Sequence, residues 1–315
     1  MPLFANRRKP HLSSALDDTE LGRVVKSLRE VARPGLIGTT DLHVARIANL
    51  MQQPGVDWGR RAHRLAVLAE ATVGSDVPSA WIARAPRSAD AMLLYAWTEL
   101  VRGRWSGGMR DAPATLRTCY DAADLDPGDP NPWAVALGVA RLERYDRHNV
   151  LAIWREVTAR DPQHREAHLQ MLGYLSPEEG GSRMQVLEFI DSVRARTPAN
   201  APTAGLGLAA VVGQHRSIVA KGHLEALMVR DFWTRPPVAK VLDEAGEMWP
   251  QPGFLRHART MADLNLLAYA LVTAERGQQA ARVFPLLEGK VTAWPWELRG
   301  DPVEAFLDAQ ARSVR

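Results

Sequence analysis

An internal repeat with a period of 35 residues is the feature that most restricts what this chain can fold into. Shifting the sequence by that period superimposes the segments 96–130, 131–165 and 166–200. Glycine recurs at one place in each copy, and larger apolar residues recur after it. The coinciding positions are Gly103, Gly138 and Gly173, then Leu116, Leu151 and Val186, and then Cys119, Trp154 and Phe189.

The apolar spacing inside each copy predicts two helices joined by a turn. The central copy reads WAVALGVARLER, then a turn, then NVLAIWREVTARDP, where Pro162 ends the second helix. One such pair cannot bury its own apolar face, so the copies must stack on one another. In this interpretation the glycine lets a neighbouring helix approach closely, and a large residue such as Trp154 fills the space between pairs.

This pattern resembles the tetratricopeptide repeat, a helix–turn–helix unit with Leu-Gly in its first helix, a large aromatic residue in its second and a final proline. The matching residues are Leu137, Gly138, Trp154 and Pro162 in the central copy, and Leu172, Gly173 and Phe189 in the next. The chain departs from the family in its longer period and at Val150, where the family has alanine. The resemblance implies a right-handed α-solenoid, and a helical array without true repeats is the alternative.

We therefore expect an all-α protein. Alternation typical of strands is scarce, whereas helical periodicity extends to both sides of the repeats, as in 57–72 and 301–312. Asp301 is a predicted N-cap with Pro302 at the first helical position. The predicted organisation is a flexible N-terminal arm at 1–16, N-terminal helices at 17–85, repeats at 86–200, and an irregular Trp/Pro-rich helical part at 201–315, packed on the same body.

Charge and composition argue against several classes of protein. The net charge is +3, from 39 basic and 36 acidic residues that are interleaved, so a nucleic-acid partner is disfavoured. The single cysteine, Cys119, excludes an intrachain disulfide and fits a reducing compartment. The segment Met1–Leu12 has basic residues but no apolar stretch after them, and apolar runs elsewhere are about half of the ~20 residues that a membrane helix needs. We expect a soluble cytoplasmic protein with no membrane contact.

Motifs for catalysis or cofactor binding are missing from the sequence. Neither a phosphate-binding glycine loop nor a nucleophile elbow is present. His164 and His168 have the spacing of two metal ligands on a helix, but Arg165 stands where a metalloprotease has glutamate. His168 also occupies the position that Trp133 holds in the preceding copy, which favours a packing role. We therefore predict no catalytic residue, no metal and no cofactor, and a non-enzymatic protein is favoured.

The first functional hypothesis is a non-catalytic scaffold or accessory protein that binds a protein or peptide. The resemblance implies a groove formed by the first helices of the pairs. The candidate groove residues are Trp97, Leu100, Arg104, Val135, Val139, Glu143, Gln170 and Tyr174. The apolar Val135 and Val139 suggest a groove that is partly filled, either by the N-terminal arm or by a second subunit of a homodimer.

The tryptophans suggest an alternative site. Six lie within helical periodicity, which predicts core packing, and they are Trp58, Trp81, Trp97, Trp105, Trp133 and Trp154. Four lie beside prolines, and they are Trp233, Trp249, Trp294 and Trp296. The alternative function is a small-molecule-binding protein or enzyme with its site between the repeats and the Trp/Pro-rich half. Its candidate residues are His215, His223, Asp231, Trp233, Arg235, Trp249 and His257.

Overall fold

The computed structural model describes residues 9–30, 39–52, 57–220 and 231–313, and the regular structure in these ranges is almost entirely helical. The expected all-α class is confirmed. Two strands of two residues each, β1 (His11–Leu12) and β2 (Lys290–Val291), form a parallel pair. The helices are α1 (Thr19–Glu30), α2 (Thr39–Met51), α3 (Trp58–Thr72), α4 (Val77–Arg84), α5 (Ala89–Ser106), α6 (Ala112–Leu125), α7 (Asn131–Leu142), α8 (Arg147–Arg160), α9 (Arg165–Tyr174), α10 (Arg183–Arg194), α11 (Leu206–Ala220), α12 (Pro236–Met248), α13 (Thr260–Thr273), α14 (Gly277–Val283) and α15 (Pro302–Ser313). Short 3₁₀ turns lie at Pro177–Glu179, Phe232–Thr234, Phe284–Leu287 and Trp296–Arg299.

Short polar side chains fix where many of these helices begin. Ser88 accepts a hydrogen bond from the amide of Ala91 at the start of α5, as its N-cap position predicts. At the start of α15, one carboxylate oxygen of Asp301 accepts the amides of Val303 and Glu304, both at 3.0 Å. A side-chain cap therefore marks the helix start at both places, and the cap predicted at Asp301 is present.

The chain divides into two compact units. The helix-pair unit comprises residues 18–193, and the C-terminal unit comprises residues from Arg194 onward together with N-terminal residues as far as Asp17. In the helix-pair unit the odd-numbered helices α1, α3, α5, α7 and α9, here called the A helices, each pack on the next one in the series. Residues 18–85 of the predicted N-terminal helices and residues 86–193 of the predicted repeats lie in this unit, where α3 packs directly on α5.

The three coinciding glycines lie at close contacts involving successive A helices. A Cβ atom on Gly138 of α7 would lie 2.5 Å from a methyl carbon of Leu100 in α5. On Gly103 it would lie 2.9 Å from a methyl carbon of Leu142, and on Gly173 it would overlap the guanidinium of Arg141. Real side chains do not tolerate such distances, so each glycine has the close-approach role that the sequence alignment assigns to it.

The C-terminal unit is centred on Trp296, which is fully buried among three aromatic rings. Its ring centroid lies 5.5 Å from that of Tyr269 and 5.3 Å from that of Phe306. Its Nε1 donates to the side-chain oxygen of Asn265 at 2.9 Å. The same asparagine donates to the backbone oxygens of Met261 and of Lys290, in β2. One buried amide thus joins α13, β2 and the Trp296 turn.

Part of the predicted N-terminal arm also belongs to the C-terminal unit. The amide of His11 donates to the carbonyl of Gly289 at 2.9 Å, and the amide of Ser13 donates to that of Val291 at 2.8 Å. Ala15 and Leu16 follow these residues and are buried. Residues 11–16 are therefore held by backbone hydrogen bonds and apolar burial, while residues 1–8 of the predicted arm lie outside the described ranges.

The tryptophans only partly follow their predicted environments. Trp81 and Trp97 are buried, but Trp105 is 71% exposed, so its predicted place in the core was wrong. Trp105 lies in the last turn of α5, just before Gly107 ends the helix in a left-handed conformation, on a side of the helix that no other described element covers. Beside the prolines, Trp233, Trp249 and Trp296 are buried and Trp294 is partly exposed.

Candidate functional site

Four of the eight predicted groove residues belong to the core of the helix-pair unit. Trp97, Leu100, Val135 and Val139 expose no more than 2% of their surface. They lie on α5 and α7, which pack against each other and against the helices around them. They contribute to packing and face no partner in this conformation.

Two of the other groove residues, Arg104 and Gln170, belong to a row of polar side chains that crosses three A helices. We call it the polar row, and it consists of Arg104 on α5, Arg141 on α7, Glu166 and Gln170 on α9, and Glu179 in the turn after α9. All except Gln170 keep part of their side chains exposed. The sequence analysis predicted Arg104 and Gln170 as site residues, and the structure brings them together through Glu166.

Arg141 holds the row together. Its Nε donates to Glu179 Oε2 at 2.7 Å, and its Nη1 donates to Gln170 Oε1 at 3.0 Å. Gln170 in turn donates to Glu166 Oε1 at 2.6 Å. The guanidinium of Arg141 lies against α9 at Gly173, where a Cβ atom would force it to move. This arginine therefore has strong, specific partners already.

Arg104 has fewer and more distant partners for its positive charge than Arg141 has. Its only ion pair in the described part of the chain is with Glu166, at 3.9 Å, and it makes no hydrogen bond there. Its side chain is 39% exposed. Desolvation lowers the pKa of Arg104, and the positive charge of Arg141 adds to this effect, although the carboxylates of Glu166, Glu70 and Glu179 oppose it. Arg104 is thus a partly desolvated cation whose hydrogen-bond donors lack acceptors in the described structure.

Glu143 and Tyr174 have local structural roles. Glu143 Oε1 accepts the backbone amide of Met109 at 2.6 Å and so fixes the turn that follows α5. The hydroxyl of Tyr174 donates to the backbone oxygen of Tyr145 at 3.4 Å. Both contacts tie one helix–helix turn to the next.

The sequence analysis missed Arg141, Glu166 and Glu179. Their positions do not repeat with the 35-residue period, so the alignment gave them no weight. A signal was nevertheless present at Arg141, because it is the only charged residue of α7, NPWAVALGVARL. A lone charge near the end of an apolar helix needs a polar partner on a neighbouring element.

The alternative site is assembled only in part. The ring centroid of His215 lies 5.2 Å from that of Trp233 and 5.4 Å from that of Phe232. The guanidinium of Arg235 lies 5.7 Å above the Phe232 ring. Burial lowers the pKa of His215, and the charge of Arg299 contributes in the same direction. His215, Trp233 and Arg235 therefore belong to one aromatic cluster in the C-terminal unit.

The remaining residues of the alternative site have separate environments. His257 Nε2 lies 3.3 Å from a carboxylate oxygen of the buried Asp263. Trp249 is buried at the end of α12, and Asp231 is exposed. His223 lies outside the described residues.

His164 and His168 have packing and capping roles. His168 lies edge-on to Trp154, with ring centroids 4.8 Å apart, and burial lowers the pKa of His168 to about 4. His164 caps α9 by accepting the amide of Ala167. Within residues 9–30, 39–52, 57–220 and 231–313, no group of three His, Cys, Asp or Glu side chains could hold a metal ion.

Two further results concern membrane-spanning segments and similarity to known proteins. No helix in the described ranges is both long and apolar enough to cross a membrane. Comparison with known proteins finds no family model that matches this sequence and no similar curated protein.

Proposed function

We propose that this chain is a non-catalytic interaction module that binds an extended segment of a partner protein along the polar row. Three A helices contribute to this row, so one segment laid across it would contact residues far apart in the sequence. The proposal includes the right-handed solenoid implied by the resemblance, which would place the A helices on the concave side. It also includes a cytoplasmic location.

Arg104 is the single observation on which the proposal depends most. A guanidinium has five donors in a planar fork that fits a carboxylate. Arg104 lies beside other partly exposed polar groups and has only one distant ion pair among the described residues. An acidic side chain of the partner would supply the missing acceptors. The partner class that fits is therefore an extended peptide segment containing an acidic residue.

A peptide-display selection tests this proposal and yields a binding sequence at the same time. The purified full chain is immobilised, a random peptide library is selected on it, and recovered peptides are compared with those recovered on Arg104→Glu. The matched control is Arg155→Glu, which reverses the charge of an exposed arginine on α8, away from the A helices.

We expect acidic residues to be enriched at one position among peptides selected on the wild-type chain. These peptides should bind Arg104→Glu at least tenfold more weakly, because one attractive charge pair becomes repulsive, and should bind Arg155→Glu normally. Recovery of no sequence above background, or equal loss on both variants, would contradict the proposal.

A further inference from the structure

A buried chain of hydrogen bonds connects the A helices α3, α5, α7 and α9 at their N-terminal halves. Arg61 of α3 pairs with Asp90 of α5 at 2.5 Å and donates through Nε to Asp129 Oδ2 at 2.8 Å. Asn131, the first residue of α7, donates through its side chain to Asp129 Oδ1 at 2.7 Å. His164, the N-cap of α9, lies 3.2 Å from Asn131 Oδ1. The last three residues are almost completely buried.

The direction of each hydrogen bond in this series follows from the groups at its two ends, the guanidinium of Arg61 and the backbone amide of Ala167. A backbone amide can only donate, so His164 Nδ1 must accept the amide of Ala167 and carries no proton. The proton of the neutral ring is therefore on Nε2, which donates to Asn131 Oδ1. Asn131 can then donate its own amide to Asp129, which accepts from Arg61 at the other end.

We propose that His164 is an acid-sensitive latch between α7 and α9: protonation of Nδ1 turns the cap of α9 into a second donor, releases the first turn of α9, and loosens its contact with α7. A proton on Nδ1 would point at the amide of Ala167 and lie beside the positive end of the helix dipole. Burial leaves the charged ring no water to replace the lost cap.

The charged and titratable groups around His164 come from every neighbouring element. They are Asp129 before α7, Arg61 of α3 beyond it, Asp161 after α8, and Glu166 and His168 on α9. Burial is the largest effect and lowers the pKa of His164, although the carboxylates of Asp161, Glu166 and Asp129 oppose it. The cap is therefore intact at neutral pH, and its contribution is lost as the pH falls below the ordinary histidine value of 6.5.

Hydrogen exchange of the α9 amides tests the latch in the full chain, without any partner. Rates are measured at pH 7.5 and pH 5.0, corrected for intrinsic exchange, and compared with those of α5. In the wild type we expect α9 exchange to be at least tenfold faster at the lower pH, with a smaller change in α5. His168 lies on the same helix and also titrates, so the variant is compared in a His168→Phe background. There His164→Asn keeps an oxygen acceptor at the cap but cannot be protonated, so its α9 ratio should change less than twofold. The exposed His148 of α8 supplies the control variant, His148→Asn, which should behave like the wild type.

Ring NMR of the wild type provides a second measurement that does not depend on the variant folding. We expect the Nε2–H tautomer at pH 7.5, and protonation of His164 below pH 6.5 together with the increase in α9 exchange. The latch is refuted if the ring gains its proton while α9 exchange stays constant, or if His164→Asn retains the full pH response.

Discussion

At the scale of single residues, close contacts decide which positions tolerate change. Gly103, Gly138 and Gly173 look alike in the sequence, and each of them lies where a Cβ atom would meet another residue. Gly213, in the middle of α11, has no atom of the described residues near its Cβ position. These two kinds of helical glycine should respond in opposite ways to the same substitution.

Gly138→Ala should lower the free energy of unfolding of the helix-pair unit by about 1–3 kcal/mol, because the added methyl group is forced against Leu100. Gly213→Ala should instead raise stability by about 0.5–1 kcal/mol, since alanine restricts the unfolded chain and its methyl group meets no described residue. Urea unfolding followed by circular dichroism measures both. Equal effects of the two substitutions would contradict the close contact between Gly138 of α7 and Leu100 of α5.

His168 should make the helix-pair unit sensitive to acid. Its pKa is about 4 in the fold against 6.5 in the unfolded chain, so the unfolded chain takes up the proton first as the pH falls. The stability that depends on its neutral form is fully present above pH 6.5 and is lost as the pH falls towards 4. By pH 5 we expect a loss of about 2 kcal/mol from this residue. In His168→Phe, urea unfolding at pH 7.5 and pH 5 should show that part of the loss removed, and an unchanged pH dependence would contradict the assignment.

Residue environments were predictable where packing alone decides them. The alignment placed Trp154, His168 and Phe189 at packing positions, and their rings contact one another. It could not show that Trp105 is exposed, because helical periodicity does not reveal which side of the last turn of α5 its neighbours leave uncovered. The polar row could not be predicted either, because Arg141 and Glu179 are 38 residues apart and their positions do not follow the repeat.

At the scale of elements, one buried amide organises the C-terminal unit. Asn265 of α13 satisfies the backbone of β2 and the indole of Trp296 at once. Removing it would leave buried donors and acceptors without partners, which costs more than the hydrogen bonds themselves contribute. No sequence pattern marks this asparagine, because DLNLLAYALVTAE reads as an apolar helix with one polar interruption.

Asn265→Ala should therefore destabilise the C-terminal unit by about 2–4 kcal/mol and expose β2 to hydrogen exchange. Asn149→Ala is the matched control, because Asn149 is exposed in the first turn of α8 and its side chain hydrogen-bonds only to the neighbouring Asp146 in the described structure. It should cost less than about 1 kcal/mol. If both variants unfold at the same urea concentration, Asn265 is not the centre of this unit.

At the scale of the whole molecule, the repeat pattern predicted the class of fold better than it predicted where the chain divides into compact units. All-α architecture and packing between neighbouring helices follow from helical periodicity and from the inability of one pair to bury its apolar face. The N-terminal residues were harder, because their pairing with β2 joins positions almost 280 residues apart. Such contacts depend on backbone hydrogen bonds, which leave no signature in the side chains.

We propose that a partner segment binds across the polar row through an acidic residue at Arg104. A charge-swap titration tests it most directly. One selected peptide and a version with its acidic residue changed to lysine are titrated into the wild-type chain and into Arg104→Glu. We expect the acidic peptide to prefer the wild type and the lysine peptide to prefer Arg104→Glu, each by at least tenfold. If both peptides bind both proteins with the same affinity, Arg104 does not contact the partner and the polar row is not its binding surface.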